Sequence, residues 1–297
     1  MRRDGHVSLK RLCGLFGKTR HAFYEKEWQT KEDVIGHAIV FKLVGEHRKR
    51  MPRIGTPKLY SLIKEPLKAH GIKLGRDKLH ELLFSYGLTV KRKRRQTKTT
   101  MSRHWLKKYP NLIRELEIKG PEQIWVSDIT YIRLTDGFCY LSLITDAYSR
   151  KIMGYCLSPD LSHRGCLSAL QMAFNQRLNP DSKLLHHSDR GVQYCCGDYV
   201  EQLLDNHIGI SMTEQSDPYE NAIAERVNGI LKDEFSLDRE FNSFEAAARA
   251  VKEAVKTYNE HRPHASCDYL TPNQAHLQNG ELKRRWKTYF KSESVHH

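Results

Sequence analysis

Between Pro121 and Ser158, apolar and polar side chains alternate with a period of two through three runs rich in β-branched and aromatic residues: IWVSDITYIRL, FCYLSLITDAYS and KIMGYCLS. The links between the runs are short, the first a Thr-Asp-Gly turn, so the runs predict an antiparallel meander of three adjacent strands. In the first strand Ile124, Val126, Asp128, Thr130 and Ile132 share one face. The spacing then changes from element to element. It predicts a helix over LSHRGCLSALQMAFNQRL, a strand LLHHSD, a helix around GDYVEQLLDNH, a strand ISMTE and a long helix from about Pro218 to Leu237. A last helix, FNSFEAAARAVKEAVKTYNEHRP, opens at an N-cap on Asn242 or Ser243 and is stopped by Pro263. This is mixed α/β order.

The first 90 residues show helical spacing only. VSLKRLCGLFG and KTRHAFYEKEW predict two short helices separated around Gly17, with Ser8 and Thr19 as N-caps, and KEDVIGHAIVFKLVGEHRKR predicts a separate helix ending before Pro52. TPKLYSLIKEPLKAH and RDKLHELLFSYGL, joined by the turn GIKLG, form a second pair, with Leu79, Leu82 and Leu83 as an apolar stripe. The predicted organisation is a helical, helix-turn-helix-like region at 1–55, a second such region at 56–90, a basic linker at 91–120, an α/β core at 121–280 and a tail at 281–297.

Charge divides the chain along the same boundary. Residues 1–120 hold 30 basic and 11 acidic side chains, and the remainder holds 19 basic and 24 acidic. Residues 91–108 carry nine basic and no acidic residues, among them Lys91, Arg92, Lys93, Arg94, Arg95 and Lys98. Such a run is extended in water and ordered against phosphate, which makes DNA the expected partner of the basic part. The plainer alternatives are a solvated charge run and an ordinary helical bundle. No apolar stretch reaches the roughly 18 residues of a membrane span, so no membrane association is expected. No glycine-rich GxxxxGK[ST] loop is present, which argues against an ATP-driven protein. The seven cysteines are scattered without a CxxC, so neither a disulfide framework nor a zinc site is expected, and His186-His187 with Cys195-Cys196 also lacks zinc spacing.

Three acids stand out. Asp128 lies in an apolar row, where an ionised carboxylate is costly without a compensating cation. Asp189 ends the strand LLHHSD, and Glu225 lies on the helix NAIAERVNGILKDEF, off the face made by Ile223, Val227 and Ile230. Such carboxylates suit hard divalent cations, which serve phosphoryl transfer. Each acid alone says little: Asp146, in LITDAYSR, is expected to be bonded to neighbouring Ser149 or Arg150. The spacing says more, with 60 residues between Asp128 and Asp189 and 35 between Asp189 and Glu225.

That D-x60-D-x35-E arrangement, within WVSDITYI, HHSDRGVQY and NAIAERVNGILKDEF, resembles the retroviral-type integrase core of DDE transposases. It is most similar to the OrfB transposase of bacterial insertion sequences of the insertion-sequence-three type. SMTEQSDPYENAIAERVNG and YNEHRPHASCDYLTPNQA continue the likeness, with departures at Glu214-Gln215, Glu220 and Cys267-Asp268. The resemblance implies an α/β RNase-H-like catalytic core, a mixed five-stranded sheet with flanking helices, preceded by an all-α helix-turn-helix region. It implies Asp128, Asp189 and Glu225 as catalytic residues and as ligands of two Mg²⁺ or Mn²⁺ ions. It further implies cleavage of double-stranded DNA at element ends and joining of the freed 3′-hydroxyl to target DNA. The implied partners are other copies of the chain on DNA and an OrfA or OrfAB fusion protein, in the bacterial cytoplasm at the nucleoid. Lys232, two turns after Glu225, is expected at DNA, with a solvated helical lysine as the alternative; Arg262 is read as a phosphate contact or as a helix cap, and His187 as a surface or capping histidine, with a place beside the acids as the alternative. A non-catalytic DNA-binding regulator and a structure-selective nuclease on the same fold are the rival readings.

Overall fold

The computed structural model describes residues 9–90, 105–114, 116–214 and 221–283. In the N-terminal region α1 (Leu9–Leu15) is followed by α2 (Arg20–Arg50), one helix of 31 residues where the sequence reading has two. The intervening residues hold no proline or glycine, so nothing ends the first helix before the second begins. Pro52 then stops it. α3 (Thr56–Ala69) and α4 (Arg76–Ser85) are the expected pair, with Leu59, Ile63 and Leu67 of one buried beside Leu79 and Leu83 of the other. Each ends on a glycine in the left-handed region, Gly71 at φ +71° and Gly87 at φ +67°. At the first of these the Gly71 amide donates to the Lys68 carbonyl and the Ile72 amide to that of Leu67, which satisfies two terminal carbonyls and turns the chain.

The three period-two runs are β1 (Ile124–Leu134), β2 (Gly137–Asp146) and β3 (Ile152–Ser158), antiparallel neighbours as expected. β4 (Leu185–Ser188) and β5 (Gly209–Met212) add in parallel, giving the order β3-β2-β1-β4-β5. A sixth strand, β6 (Glu240–Phe241), pairs in parallel with the far end of β1. Two residues carry no readable period, so the sequence gives no sign of it.

Helices α5 (His163–Asn175), α6 (Val192–Cys195) and α7 (Gly197–Asp205) cover one face. Trp125, Ile144 and Met153 from the sheet pack there with Ala169, Ala173, Tyr199 and Leu203. Gly154 makes the approach of β3 to α5 possible, because a Cβ there would overlap the Ala169 carbonyl oxygen. The other face carries α8 (Ala222–Glu234) and α9 (Phe244–His261), which Ser243 caps by accepting from the Ala246 amide. Ile132, Leu141 and Leu143 of the sheet, Val227 and Ile230 of α8, Val251 and Tyr258 of α9 and the apolar residues of α2, α3 and α4 form one continuous cluster. The N-terminal helices therefore pack on the α/β core. A four-residue helix, α10 (Pro272–Ala275), follows with a Thr271 capping box. No helix among the described residues is long and apolar enough to cross a membrane.

Each outer strand is met at one end by another part of the chain. At β5 the Met212 amide donates to the Pro110 carbonyl and the Ser211 hydroxyl accepts from the Leu112 amide, so residues 110–112 lie along the edge as a strap. At β3 the Asn259 side-chain amide both accepts from the Ile152 amide and donates to the Ile152 carbonyl, each at 2.9 Å. One side chain there makes the two bonds a neighbouring strand would make.

Candidate active site

The site lies where β1 loses a neighbour. β4 pairs with β1 only from Ile124 to Val126, and β6 only at Arg133 and Leu134. Between these contacts the N-terminal end of α8 approaches β1, and its N-cap residue Asn221 donates to the Ser127 carbonyl at 3.0 Å. Asp128 stands in this interval, on the face that α8 covers, between Val126 and Ile132. Its register neighbour follows from the parallel pairing of Val126 with His187: two residues further along each strand stand Asp128 and Asp189. The strands have parted at that level, and the Asp189 charge still acts on the Asp128 carboxyl. Glu225 lies in the first turn of α8, where the helix dipole favours an anion.

Electrostatics report the same convergence. Burial raises the Asp128 carboxyl to about 7, and the charges of Asp189 and Glu225 push it further in the same direction. Two hydrogen bonds oppose the rise: Oδ2 accepts from Asn228 Nδ2 at 2.8 Å and Oδ1 from the Ile129 amide at 2.9 Å. Asn228, three residues after Glu225 on the same side of α8, was not singled out in the sequence. Its signal was the i, i+3 spacing. Lys232 follows one turn later, with its ammonium disfavoured by burial and favoured by the Asp128 charge. It therefore faces the acids. Among the described residues no three His, Cys, Asp or Glu side chains are gathered into a ready-made ion cage. The donor set nonetheless fits a hard cation, since it is all carboxylate and its mutual repulsion is what a divalent ion relieves.

The histidines do other work. His186 is buried, its Nε2 bonded to Ser127 Oγ at 2.6 Å and to Tyr199 OH at 2.9 Å, and burial lowers its pKa to about 3, so it is neutral. His187 Nδ1 bonds Ser211 Oγ at 2.9 Å, which joins β4 to β5 in the core. Asp146 is fully buried and local, as expected: Oδ1 accepts from the Ser149 amide and hydroxyl at 2.8 Å, and Oδ2 from the Glu122 amide at 2.7 Å.

Arg262 departs from the expectation. Its guanidinium is 2% exposed and donates through Nε and Nη2 to the two Glu234 carboxylate oxygens, each at 2.8 Å. A group held that way inside the fold is not presented to DNA. Lys58 Nζ of α3 meets the same carboxylate at 2.5 Å, and the Arg53 amide donates to the Glu234 carbonyl. Lys91, Arg92, Lys93, Arg94, Arg95 and Lys98 lie outside the described residues.

Two models of the integrase core domain match this chain, over residues 119–218 and 206–272. The insertion element IS600 uncharacterized 31 kDa protein of Shigella sonnei is 31% identical over 265 residues, covering 88% of this chain and 96% of that protein. Transposase InsF for insertion sequence IS3A of Escherichia coli (strain K12) is 29% identical over 283 residues, covering 93% and 96%. This chain belongs to the IS3-type transposase family. Its core is the RNase-H-like α/β fold implied by the sequence resemblance, with β6 added to the five expected strands. Similar solved structures include the HTLV-2 integrase catalytic core domain in complex with magnesium, at 20% identity and TM-score 0.42, covering 53% of this chain and 97% of that one. A simian T-cell lymphotropic virus intasome chain matches at 18% identity and TM-score 0.47, covering 78% and 79%.

Proposed function

We propose that this transposase cuts double-stranded DNA at the ends of its insertion sequence and joins the ends to new DNA, with Asp128, Asp189 and Glu225 as the catalytic carboxylates. The observation that carries the reading is the Asp128 carboxyl, raised to about 7 by burial and by its two acidic neighbours. A folded chain keeps such an arrangement where function requires the charge. The three carboxylates would hold two Mg²⁺ or Mn²⁺ ions, which when bound would stabilise the attacking and leaving oxygens of an in-line displacement. In the first reaction water attacks phosphorus and the bond to the 3′ oxygen breaks, leaving a 3′-hydroxyl and a 5′-phosphate. In the second that hydroxyl attacks a phosphodiester of the target and displaces the target's own 3′ oxygen.

The chain's own residues prepare the site for both. The Ile129 amide and Asn228 fix the two Asp128 oxygens before substrate arrives. Lys232, on the same side of α8, is placed to take a phosphate of the element end. The N-terminal helices and the basic linker hold the duplex, with other copies of the chain and an OrfA or OrfAB fusion partner completing the assembly on DNA.

A strand-transfer assay with Mg²⁺, on DNA from the gene's own flanks, tests the reading. Joined products are expected from the wild-type chain, alone or fused to an upstream overlapping frame, and none from Asp128→Asn, Asp189→Asn or Glu225→Gln, each of which still binds DNA. Robust nicking without joining of a pre-cleaved 3′ end would instead make the protein a nuclease, and binding without cleavage in every form would make it a regulator.

A further inference from the structure

The strap along β5 has a direction. Pro110 stands opposite Met212, the last residue of β5, and Leu112 opposite Ser211 before it. Ile113 and Ile118 then pack with Ile124 at the start of β1. The strap thus descends antiparallel to β5, and residues 105–109 lie at the end of the sheet where β4 delivers Asp189. The Thr213 amide donates to the Ser188 carbonyl at 3.0 Å, so β4 and β5 are still side by side at that level. With about 4.8 Å between strands, Pro110 is two strand widths from the residue preceding Asp189.

The side chains of this stretch divide by role. Leu106 and Tyr109 pack into the cluster that holds Tyr194, Cys195 and Met212. Lys107 and Lys108 are exposed, with Lys107 Nζ 5.0 Å from the Tyr109 ring centre. Trp105 is 92% exposed. The Cys195 thiol, raised by burial and by the Asp189 charge, is favoured in its ionised form by Lys108 and Arg190, which puts both cations around the same corner. An indole left in water beside two lysines, at the end of a run with nine basic and no acidic residues, has the chemistry of a surface that holds a nucleic-acid strand.

We propose that Trp105, Lys108 and Arg190 form a ledge for a single DNA strand leaving the active site, Trp105 stacking on an unpaired base and the two cations taking the adjoining phosphates. The anchoring of Leu106 and Tyr109 fixes the ledge relative to Asp189, so a strand lying on it is held close to the carboxylates. The ledge would act on the frayed or cleaved end and leave intact duplex to the helices. The inference rests on the DNA cutting and joining reading given above.

The test is binding without divalent cation, by fluorescence anisotropy of the full chain with a labelled blunt duplex and with the same duplex carrying a short single-stranded extension. Trp105→Ala is expected to weaken the extended substrate about tenfold, the effect of losing one stacked base, and to leave the blunt duplex unchanged. Trp105→Phe should retain most of the affinity. Lys108→Gln and Arg190→Gln should each reduce the slope of log affinity against log salt by about 0.7 on the extension. Affinities of Trp105→Ala unchanged from wild type on both substrates, or reduced equally on both, would overturn the ledge. So would a Trp105→Ala chain that binds DNA normally but no longer self-associates in sedimentation, since the indole would then be a contact between copies. Strand joining run in parallel separates the two readings. A selective Trp105 effect in a chain that never joins ends would remove the catalytic reading and keep the ledge, whereas normal joining with no such effect would remove the ledge alone.

Discussion

Helix α8 carries one acidic cluster at each end, buried at Glu234 and half-buried at Glu225, and the two are built on opposite terms. At its C-terminal end Glu234 faces two cations, Arg262 and Lys58, which hold its carboxyl down to about 2 against the cost of burial. At its N-terminal end Glu225 joins Asp128 and Asp189, and the buried Asp128 carboxyl rises to about 7. The first cluster is satisfied within the chain and belongs to the fold: it ties α3 to α8 and to the end of α9. The second gathers acids whose charges act against one another at Asp128, and under the proposed function a divalent cation would relieve that repulsion. One helix, α8, thus connects an anchor to the proposed catalytic site.

The contrast can be broken most severely at the satisfied end. Glu234→Gln leaves a buried guanidinium and a buried ammonium without their acid and is expected to cost about 3–5 kcal/mol in urea unfolding. Glu234→Leu combined with Arg262→Met and Lys58→Met should recover most of that loss, because the cost lies in the unpaired charges. Lys58→Met removes the more accessible of the two cations and should cost about 1–2 kcal/mol by the same measurement. At the acidic end the sign reverses. Mg²⁺ should raise the Tm of the wild-type chain, by about 1.4 kcal/mol of stability at a tenfold excess over its Kd, and should do little for Asp128→Asn. No difference between the two chains would disconnect Asp128 from cation binding.

The two ends should also part in their dependence on pH. Glu234, held below its unfolded value, contributes stability that is present above about pH 4.5 and lost as pH falls towards 2. Asp128, held above its unfolded value, costs nothing below about pH 4, and its cost grows up to about pH 7 and persists beyond it. In metal-free buffer, Asp128→Asn should therefore gain stability over wild type as pH rises from about 4 to 7 and then keep a constant advantage. The smallest effect is expected from Asn228→Ala. Losing that hydrogen bond raises the Asp128 carboxyl further, and a shift of the acidic limb of the activity profile to higher pH would register it.

Much of this was legible because it is local. Period-two runs separated by short turns gave the meander, glycine-ended helices gave α3 and α4, and Ser243 and the Oδ1 oxygen of Asp146 found their partners within three residues. What escaped is set by distant contacts. Arg262 reads as a DNA ligand from its sequence because its acid lies 28 residues back, and Lys58 lies 176 residues from the same carboxylate. β6 exists only because β1 outruns β4 and offers an unpaired end. The positions of the three acids could be read from their spacing, but the role of Asn228 required knowing that α8 fits against the open stretch of β1.

The contacts at the two sheet margins matter under the proposal that several copies gather on one piece of DNA. Crowding of that kind favours strand exchange and self-templated growth wherever a sheet offers a free row of amides and carbonyls. Here Asn259 occupies the exposed groups of Ile152 at one margin, and Pro110 and Leu112 lie along the other. At these positions the backbone of another chain has nothing left to pair with.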